Sequence, residues 1–301
     1  MCFRWRTLNR RLILFITQSE SYWVAVELKE KLLAGLCWGQ GDSKVLCLHG
    51  WLDNAASFAV LADRLANLLG DSVVAVDLPG HGKSPWHAAG QGYPVWGYTH
   101  ELKAVADSMA SPVDLVAHSL GGSLALCLAA AFPELVRSIV LLDSPGPMVT
   151  PEDQIASQLR DGILSRDKLR PSRQFASVAD AVGARKKATP ELSDSALAIL
   201  VERNLAKCEF HYEWRTDPQL KLTSDLRLSE TQVEHLMRAV KCPVLSIRAE
   251  SGLLPAKFFE HRMGYLQNVD SLQLPGHHHF HLEEETAPAI ADAVITFWKG
   301  L

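Results

Sequence analysis

Ser119 stands in His118-Ser119-Leu120-Gly121-Gly122, directly after the β-rich run Val113–Ala117 and at the start of a small-residue helical stretch. A sharp strand-to-helix turn needs small residues two before and two after its apex, and Ala117 and Gly121 meet that need. Such a turn lifts the Ser119 hydroxyl clear of a sheet, where it can act as a nucleophile. The helix that follows begins with unpaired N–H groups and the positive end of its dipole. The Leu120 backbone N–H is therefore expected to donate to an oxyanion formed beside Ser119. An ordinary strand–helix turn with a capping serine would carry the same local pattern, so the turn alone leaves both readings open.

Three other segments bear on the choice. His49-Gly50-Trp51 ends the run Val45–Leu48, in a loop that can bring the Trp51 N–H to the same oxyanion. Asp77-Leu78-Pro79-Gly80-His81-Gly82-Lys83-Ser84 makes a tight Pro/Gly loop after the next run. Gly276-His277-His278-His279-Phe280-His281-Leu282-Glu283 follows the last run and raises the question of a metal. Metal ligands must converge on one point, whereas consecutive residues of an extended segment point apart. No Cys or carboxylate spacing elsewhere completes a zinc signature, so no metal and no cofactor are expected.

The elements that must hold these residues alternate. β-rich runs at Val45–Leu48, Ser72–Val76, Val113–Ala117, Ser138–Leu142, Val244–Ile247 and Val269–Leu274 read as buried strands. Between them, Phe58, Leu61, Leu65 and Leu68 form a helical face ahead of Gly70, a predicted C-terminal cap. Leu102, Val105 and Met109 form another behind Thr99, a predicted N-cap. A last helix near Thr286–Lys299 puts Ile290, Val294, Phe297 and Trp298 on one side. This alternation predicts an α/β fold, a mostly parallel central sheet with helices on both faces. It stops after Leu142. No strand pattern is found from 144 to 241, only helical stretches such as Pro190–Ala206 and Ser229–Val240. Arg166, Asp167, Lys168, Arg170, Arg185, Lys186 and Lys187 there read as a solvated helix face. The expected organisation is an N-terminal extension over 1–20, a core of 21–143 and 242–301, and a helical cap over 144–241 inserted between sheet strands. Such a cap would lie over the sheet's C-terminal edge, where open α/β sheets bind ligands.

From about Tyr22 to its end the chain resembles an α/β-hydrolase of the serine hydrolase-like branch. The carriers are Leu48-His49-Gly50-Trp51-Leu52-Asp53-Asn54-Ala55-Ala56-Ser57-Phe58, the Asp77–Ser84 loop, His118–Gly122 and Gly276–Glu283, in this order and spacing. The resemblance implies the fold more specifically than the substrate. It also implies an acyl-transfer hydrolase, because relatives that dehalogenate or open epoxides carry Asp where Ser119 stands. The family's pattern puts the catalytic base five residues before a Glu, which is His278 counted from Glu283; His277, His279 and His281 then read as local packing. The family's acid is usually an Asp shortly after the strand that follows the cap. Here that stretch is Arg248-Ala249-Glu250-Ser251-Gly252, with Gly252 near the expected Asp and Glu250 the available carboxylate. Some relatives carry the acid one strand earlier, where this chain has Asp143, 24 residues after Ser119. Asp143 is the preferred acid and Glu250 the alternative.

The expected function is a serine hydrolase, esterase-like, cleaving a carbonyl ester or related acyl bond of a small lipophilic molecule through an acyl-enzyme. The expected catalytic residues are Ser119, His278 and Asp143, with Trp51 and Leu120 as oxyanion donors. The alternatives are a binding or sensor protein of the same fold, and a C–C bond hydrolase. Phe175, Phe210, Tyr212 and Trp214 fit either a pocket wall or the cap's own core.

Composition agrees with a globular enzyme. The 301 residues are 48% hydrophobic and 21% charged, which argues against disorder. A net charge of −4 gives no electrostatic footprint for nucleic acid. The apolar run Leu12–Ile16 is five residues and the longest, Leu124–Phe132, is nine, against ~18 for a span, so no membrane span is expected. Cysteines at 2, 37, 47, 127, 208 and 242 lack paired spacing, as expected for reduced thiols in the cytoplasm.

Overall fold

In the computed structural model the described residues are 6–8, 11–18, 21–27, 32–109 and 112–301, with side chains from Leu33 onward. Their strands are β1 (Arg6–Leu8), β2 (Arg11–Gln18), β3 (Ser21–Glu27), β4 (Leu32–Trp38), β5 (Val45–Leu48), β6 (Val73–Val76), β7 (Val113–His118), β8 (Val136–Leu142), β9 (Gln174–Phe175), β10 (Leu205–Lys207), β11 (Tyr212–Trp214), β12 (Val244–Ser251) and β13 (Val269–His277). The α-helices are α1 (Ala59–Leu69), α2 (Thr99–Ser108), α3 (Leu120–Ala131), α4 (Ile155–Arg166), α5 (Val178–Ala188), α6 (Asp194–Asn204), α7 (Glu230–Arg238), α8 (Ala256–Met263) and α9 (Ala287–Lys299).

A ten-stranded sheet runs in the order β1-β2-β3-β4-β6-β5-β7-β8-β12-β13. From β6 to β13 neighbouring strands are parallel, and from β1 to the β4–β6 pair they are antiparallel. Its central strands β5, β6 and β7 are buried on both faces, while β13 at the edge is largely exposed. On β5, Leu46 and Leu48 pack with α2 and α3 residues such as Leu102 and Leu124, while Val45 and Cys47 pack with α1 and α9 residues such as Leu61 and Ile290. This is the two-residue period of a strand feeding two cores, and it explains why β5 reads as continuous apolar sequence. Gly70 ends α1 in the left-handed region, φ 65°, as expected of a C-terminal cap. Thr99 is instead the first residue of α2, whose N-cap is Tyr98 with no side-chain cap.

Two expectations about the layout of the chain differ from the structure. Strands β1 and β2 lie within 1–20, which the sequence reading placed outside the fold; β2 joins the sheet through antiparallel pairing with β3, Ile13 opposite Val26. The eight-residue run of β2 is long enough for a strand, although far too short for a membrane span. Residues 1–5, 9, 10, 19 and 20 lie outside the described residues. The chain between β8 and β12 is also not purely helical, because β10, β11 and β9 form a small antiparallel sheet there. Strands of two or three residues carry too little period-2 pattern to be seen in sequence. Phe175 and Trp214 meet edge to face across it, centroids 5.0 Å apart, while Phe210 is exposed.

This inserted segment is fastened to the loops at the C-terminal ends of β5 and β6. Arg203 of α6, buried, forks onto Asp77 with Nε donating to Oδ1 at 2.8 Å and Nη2 to Oδ2 at 2.6 Å. The same carboxylate accepts from Ala55 N and Lys83 N, both at 2.8 Å, which shapes the loop after β6. Arg185 Nη2 of α5 donates to Asp53 Oδ1 at 2.6 Å, so Arg185 is an anchor rather than part of a solvated face. Asn54 Nδ2 donates to Leu200 O and Trp51 Nε1 to Leu220 O. Removing one partner of a buried pair leaves the other charge uncompensated. Arg203→Met should cost roughly 3–5 kcal/mol in urea unfolding; a loss below about 1 kcal/mol would show that the fork is not what fastens the segment.

Candidate active site

The turn at Ser119 follows from close packing. Ser119 has φ 51° and ψ −114°, in the left-handed half of backbone space, between β7 and α3. Its N–H donates to Leu142 O at 3.1 Å, and Ser144 Oγ donates to Ser119 O at 2.7 Å. A Cβ on Gly121 would stand 2.1 Å from Leu48 O, so α3 can start this close to β5 only with glycine there. Leu120 is the first residue of α3, where helix N–H groups lack intrahelical acceptors.

Among the described residues, the non-glycine residues with positive φ are Leu52 (61°), Ser119 (51°) and Asp143 (45°). They sit just beyond the C-terminal ends of β5, β7 and β8, three adjacent strands. Strained backbone of this kind costs of order 1–3 kcal/mol per residue and gathers at functional sites. Trp51, next to Leu52, is half-exposed.

Asp143 meets His278. His278 Nδ1 lies 2.6 Å from Asp143 Oδ2, and both residues are buried. Asp143 is held from β12 as well: its N–H donates to Ile247 O at 2.8 Å, and its Oδ1 accepts from Ala249 N at 3.1 Å. A Cβ on Gly252 would fall 2.4 Å from Asp143 Oδ1. The glycine at the position where the family's acid usually stands therefore gives room to a carboxylate arriving from β8. Glu250, the alternative acid, lies on β12 with its side chain exposed. An ionised carboxylate only accepts, so His278 donates from Nδ1 and keeps Nε2 as the basic nitrogen.

Further histidines brace the loops around this contact. His118 Nε2 donates to His278 O at 2.9 Å, and the two rings lie 4.5 Å apart. The residue before Ser119 thus fixes the backbone of His278, a role that nothing but adjacency to Ser119 marks in the sequence. Burial, reinforced by His281 and the other histidines, holds the His118 imidazole well below its usual pKa. Asp53, beneath this cluster, is 3.3 Å from His279 Nε2. Burial alone would raise its carboxyl, but His279, Arg185 and His118 outweigh that and hold it well below the usual range. On the far side, His49 Nε2 accepts from Leu78 N at 2.9 Å and its Nδ1 donates to Gly50 O at 2.8 Å, tying the loop of Trp51 to the loop after β6.

A family model described as the alpha/beta hydrolase family matches residues 45–293. A serine hydrolase-like protein of Danio rerio is 30% identical over 280 residues, covering 88% of this chain and 84% of that one. One of Dictyostelium discoideum is 31% identical over 277 residues, covering 85% and 76%. A crystal structure of a hypothetical protein of Pseudomonas aeruginosa PAO1 superimposes with a TM-score of 0.85 at 34% identity, over 92% of this chain and 99% of that one. Among the described residues, no helix is long and apolar enough to cross a membrane.

Two measurements check the site's packing. Gly252→Ala should push the Asp143 carboxylate away, so a crystal structure of the variant should show its Oδ2 more than 3.5 Å from His278 Nδ1; an unmoved contact would mean that β12 gives way instead. His81, buried beside His49 with Nδ1 on Pro79 O, is pushed down to about 3. An unfolded histidine takes its proton near 6.5, so His81 stability is complete above about 6.5 and lost as pH falls toward about 3, by at most ~1.4 kcal/mol per pH unit. His81→Gln should flatten the fall in urea-unfolding free energy between pH 6.5 and 4, and an unchanged slope would contradict this.

Proposed function

Since this chain belongs to the alpha/beta hydrolase family and is a hydrolase, we propose that it cleaves a carbonyl ester or thioester through an acyl-enzyme on Ser119. The observation that supports this reading most is the 2.6 Å contact from Asp143 to His278, held by His118 beside the strained Ser119 turn. Ser119 Oγ attacks the carbonyl carbon while His278 Nε2 takes its proton. The tetrahedral oxyanion faces the backbone N–H groups of Trp51 and Leu120, each such donor being worth roughly 2.7–4 kcal/mol when lost. Collapse expels the alcohol or thiol, which receives the proton from His278. Water then attacks the acyl group and gives its proton to His278, which returns it to Ser119 Oγ as the acid leaves. Asp143 fixes the imidazole tautomer and stabilises the cation formed in each attack.

A lipophilic acyl group is supported by Trp51 and Leu253, apolar side chains with 52% and 70% exposure on loops that carry site residues. A reducing compartment such as the cytoplasm fits the thiols of Cys37, Cys47, Cys127, Cys208 and Cys242, which are unbridged.

Kinetics with activated aryl esters of graded acyl length test the reading. Ser119→Ala and His278→Ala should each abolish turnover, and Asp143→Asn should lower it by ~10⁴, as in a well-studied triad. Glu250→Gln should stay near the wild-type rate. Wild-type turnover by Ser119→Ala, or a larger loss in Glu250→Gln than in Asp143→Asn, would refute these roles.

A further inference from the structure

One cluster of titratable groups has no part in that chemistry. Glu191 lies in the chain between α5 and α6, while on the core side His277 ends β13 and His279 sits two residues past it. One ligand atom of each lies within 4.8 Å of the others. His277 and His279 are alternate residues, and the turn between them brings the His279 N–H onto His277 Nδ1 at 3.2 Å, with the two ring centroids 6.4 Å apart. The expectation of no metal rested on consecutive residues pointing apart and on no carboxylate spacing that completes a zinc signature, whereas Glu191 comes from a loop distant in sequence.

His279 supplies a second, independent observation. It is 6% exposed, and its Nε2 lies 3.3 Å from Asp53 Oδ2. The other ring nitrogen, Nδ1, faces the inserted segment. That atom is buried without a hydrogen-bond partner and is 3.7 Å from Glu191 Oε1. A bare nitrogen facing a carboxylate is an arrangement that a cation between them satisfies. Metal-ligating histidines commonly set their other ring nitrogen against a carboxylate, and His279 Nε2 stands beside Asp53 Oδ2 in that way.

We propose that Glu191, His277 and His279 bind a divalent cation of the zinc type, joining the inserted segment to the core. Two imidazoles and a carboxylate suit zinc, with ligand bonds of ~2.0–2.2 Å that put tetrahedral ligand atoms about 3.4 Å apart. The 3.7 Å separation of His279 Nδ1 and Glu191 Oε1 is near that value. His277 gives up a weak contact whichever nitrogen ligates: Nδ1 accepts from His279 N at 3.2 Å, and Nε2 lies 3.3 Å from Glu283 Oε1.

Titration calorimetry with zinc chloride on chelator-treated protein tests the site without reading turnover, so it stands or falls apart from the hydrolase reading. The wild type should bind at least one equivalent, and zinc should raise its Tm, since a cation bound only by the folded state stabilises it. Glu191→Gln, at a partly exposed position that should not disturb folding, should weaken that binding at least tenfold and abolish the Tm shift. His277→Ala should do the same. His211→Ala should leave it intact, which separates it from the group formed by Cys208, His211 and Glu213. No zinc binding by the wild type, binding unchanged in Glu191→Gln and His277→Ala, or binding lost in His211→Ala would overturn the proposal.

Discussion

Asp143 and His278 leave strands that are not neighbours. β12 lies between β8 and β13 in the sheet, and strands are spaced ~4.8 Å apart, so the carboxylate has to pass over the end of β12 to reach the imidazole. The structure does this with two devices. A positive φ at Asp143 turns the chain over β12, where Ile247 O and Ala249 N hold it. A glycine at 252 then leaves the space that the carboxylate fills. The position of His278 depends on this reach from one side and on the His118 hydrogen bond from the other. Because His118 is joined to Ser119, the serine turn and the histidine loop are coupled through a single residue.

Buried charge ties the inserted segment to the same region. Asp77 organises the loop after β6 through its backbone contacts and receives Arg203 from α6; Asp53 receives Arg185 from α5. These carboxylates sit on loops at the sheet's C-terminal edge, so holding the segment and shaping the site are one problem. Each would be costly to bury alone, and the Arg203 fork on Asp77 and the Arg185 contact on Asp53 offset that cost. Neutral, buried His49, His81, His118 and His281, all depressed by burial, fill the space around them without adding charge.

Much of this was legible in the sequence because it rests on short-range necessities. The glycine at 121 and the alanine at 117 are what a crowded turn demands, and the continuous apolar β5 and β7 are what a doubly covered sheet demands. Asp143 was readable as an acid only as a choice between two carboxylates, since the reach over β12 depends on spatial order. The pairs Asp77–Arg203 and Asp53–Arg185 join residues more than a hundred positions apart, and a charged helix looks solvated until its partner is known. The strands β9, β10 and β11 are too short to leave a period, and the apolar run inside β2 is only five residues, so the segment reads as an extension rather than as a strand between β1 and β3. His279 looked like a spare histidine because its partners, Asp53 and Glu191, come from distant loops.

The central claim is that the Asp143–His278 contact activates Ser119. Reaction with a fluorophosphonate probe, followed by mass spectrometry of the digested protein, reads that activation without any choice of substrate. The account predicts a single adduct on the peptide carrying Ser119, formed far more slowly in Asp143→Asn than in the wild type. An unlabelled Ser119 in folded wild-type protein, or equal labelling rates in the two proteins, would contradict it.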